Sequence, residues 1–223
     1  NGQAQWIEDD TKEIPSNETI EHVAWSLNGL RPRWRRGEFI SFLQEHDPTI
    51  GLFSEIKTDL MSIEAPWELR AVLKALGYKH CIWHWCTTPT QSGGKGHGNF
   101  GTLVVSKYKL HNIEFGSGND LMDKEGRVIT ASLGTETFMQ IYAPCSRPDG
   151  KAPRSQIRKQ WNTQIHKRYE KIRDARQGNV HIVGDHNVAP ASGDCANEID
   201  SEEQPSCKKH EREAHAQLPL IHL

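Results

Sequence analysis

An α/β fold is predicted by three features of this sequence. Short runs rich in β-branched and aromatic residues alternate with longer segments whose apolar residues recur at helical spacing. Several of the short runs stop abruptly at polar side chains, and 223 residues with 35% apolar content are enough for one large core. Strands are expected near residues 22–27, 50–54, 79–85, 102–106, 126–133, 137–143 and 179–184.

The first 21 residues precede the first strand and carry Glu8, Asp9, Asp10, Glu13, Glu18 and Glu21 against Lys12. They are expected to form a poorly ordered acidic arm, with Trp6 and Ile7 as an anchor, and the domain itself is placed at 22–223. After the first strand, Arg31, Arg33, Arg35 and Arg36 surround Pro32 and Trp34. A guanidinium cluster with an aromatic wedge can grip phosphates or a protein partner, and it also fits a solvated loop. Phe39, Phe42 and Leu43 mark a helix closed by Asp47-Pro48, and Leu69, Val72, Leu73 and Leu76 mark another that ends at Gly77. The run His80-Cys81-Ile82-Trp83-His84-Trp85-Cys86 offers metal-type ligands, but a strand places His80 and His84 on one face and Cys81, Trp83 and Trp85 on the other. It reads as a strand with aromatic packing.

Residues 86–101, with Lys95 and His97, read as a Gly/Ser/Thr-rich loop. The longest helical pattern runs from about 154 to 176, with Ile157, Trp161, Ile165, Tyr169 and Ile172 as its apolar stripe. Lys151, Arg154, Arg158, Lys159, Lys167, Arg168, Lys171, Arg173 and Arg176 cover the rest, as a solvated outer face or as one that meets nucleic acid or a partner. A last short helix is expected to open at Pro205-Ser206, with Ser206 as its cap.

The overall balance of 27 basic against 29 acidic residues identifies no partner by itself. Five cysteines at irregular spacings do not form a disulfide framework, which favours a reducing compartment. No apolar run approaches the roughly 20 residues of a membrane span. No secretory signal precedes the domain, and Asn1 in place of an initiator Met leaves room for a removed presequence. An intracellular location is expected, organellar (mitochondrial or plastid) or nuclear.

Three strand ends carry the chemistry: Trp25-Ser26-Leu27-Asn28-Gly29, Phe53-Ser54-Glu55-Ile56-Lys57 and Val183-Gly184-Asp185-His186-Asn187. Carboxylates and carboxamides gathered at one rim of a sheet can hold a divalent cation and a phosphate. Together with Ile141-Tyr142-Ala143-Pro144 and Asn187-Val188-Ala189-Pro190, they resemble the exonuclease III and apurinic/apyrimidinic endonuclease branch of the exonuclease/endonuclease/phosphatase superfamily, over residues 22–222. The resemblance implies a four-layer α/β sandwich of two packed mixed sheets flanked by helices. It implies Mg²⁺ at Glu55 and Asn28, a water activated by Asp185, and Tyr142 with Asn187 on the scissile phosphate.

Three positions depart from that pattern. Ser26 stands where the family has asparagine, Ser54 where it has the glutamine preceding the metal-binding glutamate, and Cys145 where an active-site asparagine follows the Tyr-x-Pro motif. The family's late aspartate and terminal Asp-His pair would fall beyond Leu223, so the second sheet is expected to be incomplete in this chain, with an open edge for other subunits to cover. The leading expectation is therefore a degenerate exonuclease III-like domain, weak or inactive, serving as a structural or binding subunit of a larger complex. The alternatives are a Mg²⁺-dependent abasic-site DNA endonuclease or 3′-exonuclease, and a DNA- or RNA-binding protein that does not cleave.

Overall fold

In the computed structural model of the protein, the described residues are 2–59, 62–63, 66–88, 99–146, 154–176, 178–194 and 204–218. In chain order the elements are β1 (Gln3–Ile7), β2 (His22–Ser26), α1 (Leu30–Arg35), α2 (Glu38–His46), β3 (Ile50–Ser54), α3 (Pro66–Ala75), β4 (His80–His84), β5 (Thr102–Ser106), β6 (His111–Phe115), α4 (Asp120–Asp123), β7 (Val128–Leu133), β8 (Glu136–Tyr142), α5 (Arg154–Ala175), β9 (Val180–Asp185) and α6 (Lys209–Ala216). They form two mixed sheets, one ordered β1-β4-β5-β3-β2 and the other β6-β7-β8-β9. β2 runs parallel to β3, and β8 runs parallel to β9.

The two-residue period of a strand assigns each side chain to a layer. Ile50 and Leu52 of β3, Ile82 of β4, Val104 of β5, Ile129 and Ala131 of β7 and Phe138 of β8 form the core between the sheets. The opposite faces of β3, β4 and β5 send Phe53, Cys81, Trp83, Leu103 and Val105 towards Phe39 and Leu43 of α2 and Leu69 and Leu73 of α3. Met139 and Ile141 of β8 instead meet Trp161, Ile165 and Ile172 of α5. The layers are thus helix, sheet, sheet, helix, as the family resemblance implies.

The seven expected strands are present, and two more were missed. β1 and β6 are short and largely polar on one face, so periodicity gives little signal for them. β1 corrects the reading of a loose acidic arm: it pairs antiparallel with β4, with Trp6 opposite Cys81 and Ile7 opposite His80. The acidic residues after it close ion pairs instead of repelling one another. Glu8 meets Arg70 and Lys74 of α3, Asp10 meets Lys79, and Glu13 meets Lys109 and His111.

The helix ends follow local chemistry. Asp47 closes α2 in the left-handed conformation, its N–H donating to Leu43 O. After α3, Gly77 at φ 91° lets Tyr78 N–H return to Leu73 O. Ser206 does not cap α6: it has φ 69°, and the helix begins after Lys208, whose N–H donates to Glu211 Oε2 at 3.1 Å.

The basic face of α5 is only partly a solvated one. Lys159, Lys167 and Lys171 are exposed, but Arg168 and Arg176 both pair with Glu114 of β6, and Arg158 is buried. Lys151, and Lys95 and His97 of the expected loop, lie outside the described residues. Cys81, Cys86 and Cys145 are free thiols, and Cys207 is disulfide-bonded. No described helix is long and apolar enough to cross a membrane.

Candidate active site

Register brings the three strand ends together. In the first sheet Ser26 is opposite Ser54, and in the second Tyr142 is opposite Asp185. Each closes its strand on the face that looks into the gap between the sheets, two residues beyond Ala24, Leu52, Gln140 and Val183. Four strands therefore deliver their last inward side chains to one end of the sandwich. The following turns add Asn28, Glu55 and Asn187.

Asp185 is central. Its Oδ2 accepts from Ser26 Oγ at 3.3 Å and its Oδ1 from Asn187 N–H at 3.0 Å. Burial pushes its carboxyl above the ordinary aspartate value and the negative charge of Glu55 adds to this, against the hydrogen bonds that favour the anion. A carboxylate held in this way is a better proton acceptor than a solvated one. Asn187 Nδ2 donates to Ala143 O at 2.8 Å, tying the turn after β9 to the turn after β8. Tyr142 Oη donates to Glu55 Oε1 at 3.1 Å, and burial raises the phenol's pKa above its ordinary value, so it remains a donor.

A cation already marks the oxygen pair assigned to metal. Lys57 Nζ lies 2.5 Å from Asn28 Oδ1 and 2.8 Å from Glu55 Oε2. Among the described residues no group of three or more His, Cys, Asp or Glu side chains is placed to hold a metal ion. Mg²⁺ does not need one, since it keeps several waters and is often bound through one or two carboxylates together with substrate phosphate. Asn28 and Glu55 thus turn hard oxygen donors towards the same positive charge. Asn28, Glu55, Lys57 and Asn187 also have φ between 44° and 54°, accounting for four of the seven described non-glycine residues with positive φ. Such conformations cost about 1–3 kcal/mol each and concentrate at functional sites.

Two of the three departures leave hydroxyls that are hydrogen-bonded across the gap between the sheets. Ser26 loses the amide of an asparagine yet keeps a hydroxyl on Asp185. Ser54 lacks a glutamine's carboxamide, but Gln140 of β8 reaches across the sandwich and donates its Nε2 to Ser54 Oγ at 3.0 Å. Gln140 is fully buried, so this is a contact inside the core between the sheets, which single-sequence inspection could register only as a polar residue at an inward position of an apolar strand. Cys145 is half-exposed with a free thiol.

Sequence reasoning also passed over Arg127. It is 2% exposed, its guanidinium lies 4.4 Å from the Tyr142 ring and 4.2 Å from the Phe100 ring, and its Nη1 donates to Tyr142 O at 3.0 Å. Within the arginine cluster, Arg33 donates to Leu27 O and pairs with Glu38, and Arg36 pairs with Glu38 as well. These guanidiniums, Arg36 first, hold the Glu38 carboxyl down at about 2. Arg33 and Arg36 thus brace the turn after β2, Arg31 is half-buried and Arg35 is exposed. The histidines of β4 hydrogen-bond to the backbone: His80 Nδ1 accepts from Leu110 N–H at 3.0 Å, and His84 Nδ1 lies 2.9 Å from Val128 O. A recess of about 660 Å³, lined by Asp185, Asn187, Pro190, Ser206 and His215 among others, opens beside Asp185.

Residues 23–200 match the Endonuclease/Exonuclease/phosphatase family, and the chain belongs to it as an exonuclease III/AP endonuclease-like domain. It is 29% identical over 192 residues to an exodeoxyribonuclease of Bacillus subtilis, covering 86% of this chain and 68% of that protein. It is 27% identical over 197 residues to a DNA repair nuclease of Danio rerio, covering 88% of this chain and 58% of the relative. A 3′ phosphatase from Neisseria, solved with a product DNA hairpin, superposes with a TM-score of 0.70 at 21% identity, over 89% of this chain and 69% of that one. The chain thus spans between 58% and 68% of the length of the two sequence relatives.

Proposed function

We propose that this domain hydrolyses phosphodiester bonds in DNA with the help of a divalent cation, at an abasic site or a 3′ end. The observation that carries this reading is the environment of Asp185: a buried carboxylate of raised basicity, oriented by Ser26 and Asn187, across the sheet gap from a cation-binding oxygen pair. A proton acceptor, its orienting donors and an oxygen pair for a cation are parts that a phosphoryl-transfer site uses. We take the active hydrolase as the leading reading and the degenerate domain as its alternative.

In the proposed reaction Asp185 takes a proton from the attacking water, and Ser26 and the Asn187 N–H fix the direction of its lone pairs. A Mg²⁺ bound at Glu55 and Asn28 would supply Lewis acidity to a phosphate oxygen. Tyr142, kept protonated by burial, donates its hydroxyl proton either to Glu55 or to phosphate, and Arg127 beneath its ring holds it in place. The basic cluster of Arg31, Arg33, Arg35 and Arg36 is proposed to meet the DNA backbone, and DNA is the proposed partner.

The test is incision of a duplex carrying one abasic site, or removal of nucleotides or phosphate from a 3′ end, with and without Mg²⁺. Mg²⁺-dependent turnover is expected, with Asp185→Ala lowering kcat by about 10²–10⁴-fold, the usual contribution of a positioned base. Mg²⁺-independent or absent turnover sinks the reading. A second reading, a weakened member that docks into a larger assembly, is favoured by Cys145, which offers no amide to phosphate, and by the half-exposed edge strand β9. Salt-sensitive DNA binding without any turnover would support it.

A further inference from the structure

Arg158 is set apart from the other basic residues of α5. It is 3% exposed, and all four of its hydrogen-bond acceptors lie inside the domain. Nε donates to Asn162 Oδ1 at 2.8 Å, Nη1 to Pro144 O at 2.9 Å and to Asn187 O at 3.0 Å, and Nη2 to His186 O at 2.8 Å. Its guanidinium lies 5.6 Å from the Trp161 ring on the same helix.

Three of those acceptors are main-chain carbonyls in two turns. One turn leaves β8 immediately after Tyr142, and the other leaves β9 immediately after Asp185. The ladder between these strands ends at the Tyr142–Asp185 pair. Beyond it the turns are joined by Ala143 N–H on Asp185 O, by Asn187 Nδ2 on Ala143 O, and by the single guanidinium that spans both. Only a planar fork with several N–H groups in fixed directions satisfies carbonyls on two separate segments at once; an ammonium is a point charge with no such geometry. The fork also holds Asn187 in its strained backbone conformation, φ 44°, by fixing the carbonyls on both sides of that residue's N–H.

We propose that Arg158 is a positioning residue for hydrolysis: it locks the Tyr142 turn to the Asp185 turn and so sets the distance between phosphate contact and base, while touching neither substrate nor water. Glu211, fully buried on α6, and Asp185 supply the negative potential that accompanies it, and burial holds its pKa down to about 10, so it is charged at neutral pH. This proposal rests on the hydrolase reading above.

The experiment compares steady-state kinetics of the wild-type protein, Arg158→Met, Arg158→Lys and, as a control on the same helix, Arg168→Met, all on an abasic-site duplex with Mg²⁺. Arg168 pairs with Glu114 of β6 and bonds to neither turn. A misplacement near 1 Å costs about 100-fold in rate, so Arg158→Met is expected to lose about that in kcat while KM changes by less than about threefold. Arg158→Lys, which restores charge and one or two donors, is expected in between, and Arg168→Met at the wild-type rate. If Arg158→Met fails to fold by circular dichroism, Arg158→Lys decides: a folded Lys variant with reduced kcat and unchanged KM supports the proposal. Folded Arg158 variants that turn over like the wild type overturn it, as does a loss confined to KM or one matched by Arg168→Met. An inactive wild-type protein is a different failure, since it removes the hydrolase reading and the positioning role with it.

Discussion

Asp185 must be buried to be basic and charged to be useful, and these demands oppose each other. Its folded-state pKa is raised, so the unfolded chain carries the charge more easily than the folded one. The ionised carboxylate therefore costs stability above the folded pKa, and that cost disappears as pH falls below the ordinary value of 3.8. Asp185→Asn is expected to melt higher than wild type at pH 7, with the gap closing on acidification. Thermal melts at pH 7 and near the ordinary aspartate value would show it, and a variant no more stable at pH 7 would contradict a desolvated charge. The rate should mirror this: kcat/KM should fall on the acid side at a pH above 3.8, because the protonated carboxyl accepts nothing.

β1 and the residues after it show how an acidic segment becomes structural. Glu8 lies between Arg70 and Lys74 of α3, at 2.6 and 2.9 Å, and their hydrogen bonds, that of Lys74 first, hold its carboxyl below the usual range. Both cations are about half-exposed, so solvent and salt screen the cluster. Its contribution belongs with the surface pairs, at about 1 kcal/mol or less. Glu8→Gln is expected to lower the melting temperature at pH 7 by about 2–4 °C in a protein of this size. A lowered carboxylate pKa stabilises above the unfolded value of 4.5 and the gain is lost as pH falls through the folded one, so the variant and wild type should converge in acid. A variant with an unchanged melting point at pH 7 and low salt would mean that β1 is held by its backbone ladder and Trp6 alone. At the far end of the fold, Gly184 meets a harder constraint. With φ 128° and a virtual Cβ 2.2 Å from Ile141 O, it is the residue that lets β9 lie close to β8 and present Asp185.

The sandwich as a whole is closed by helices on its outer faces and less well closed along one side. β2 and β9 each edge their sheet, and they face each other across the gap. Every residue of β9 is partly exposed, and β2 alternates between exposed and half-exposed, whereas β3, β4, β5 and β7 are buried throughout. Unpaired edges of this kind invite pairing with another strand. The 223-residue polypeptide is accordingly expected to self-associate as its concentration rises, measured by light scattering on a sizing column. A single species of 25.3 kDa at every concentration would rule out an available edge.

The sequence alone determined the strands with a strong apolar period, the helices with a full stripe and punctuating Asp47 or Gly77, and the strand-end residues Glu55, Tyr142, Asp185 and Asn187. The strands and helices follow from local periodicity and turn chemistry, which one segment carries by itself, and the four strand-end residues were marked by the family resemblance. Lys57 between Asn28 and Glu55, Gln140 bonded to Ser54, Arg127 under Tyr142 and Arg158 joining two turns were decided only in three dimensions. Each of those contacts links residues separated in the chain by up to 86 positions, and none has a spacing rule. The acidic arm shows the same limit: its composition predicted poor order, and the residues that pair with it, Arg70 and Lys74 of α3 with Lys79, Lys109 and His111, come from distant parts of the chain.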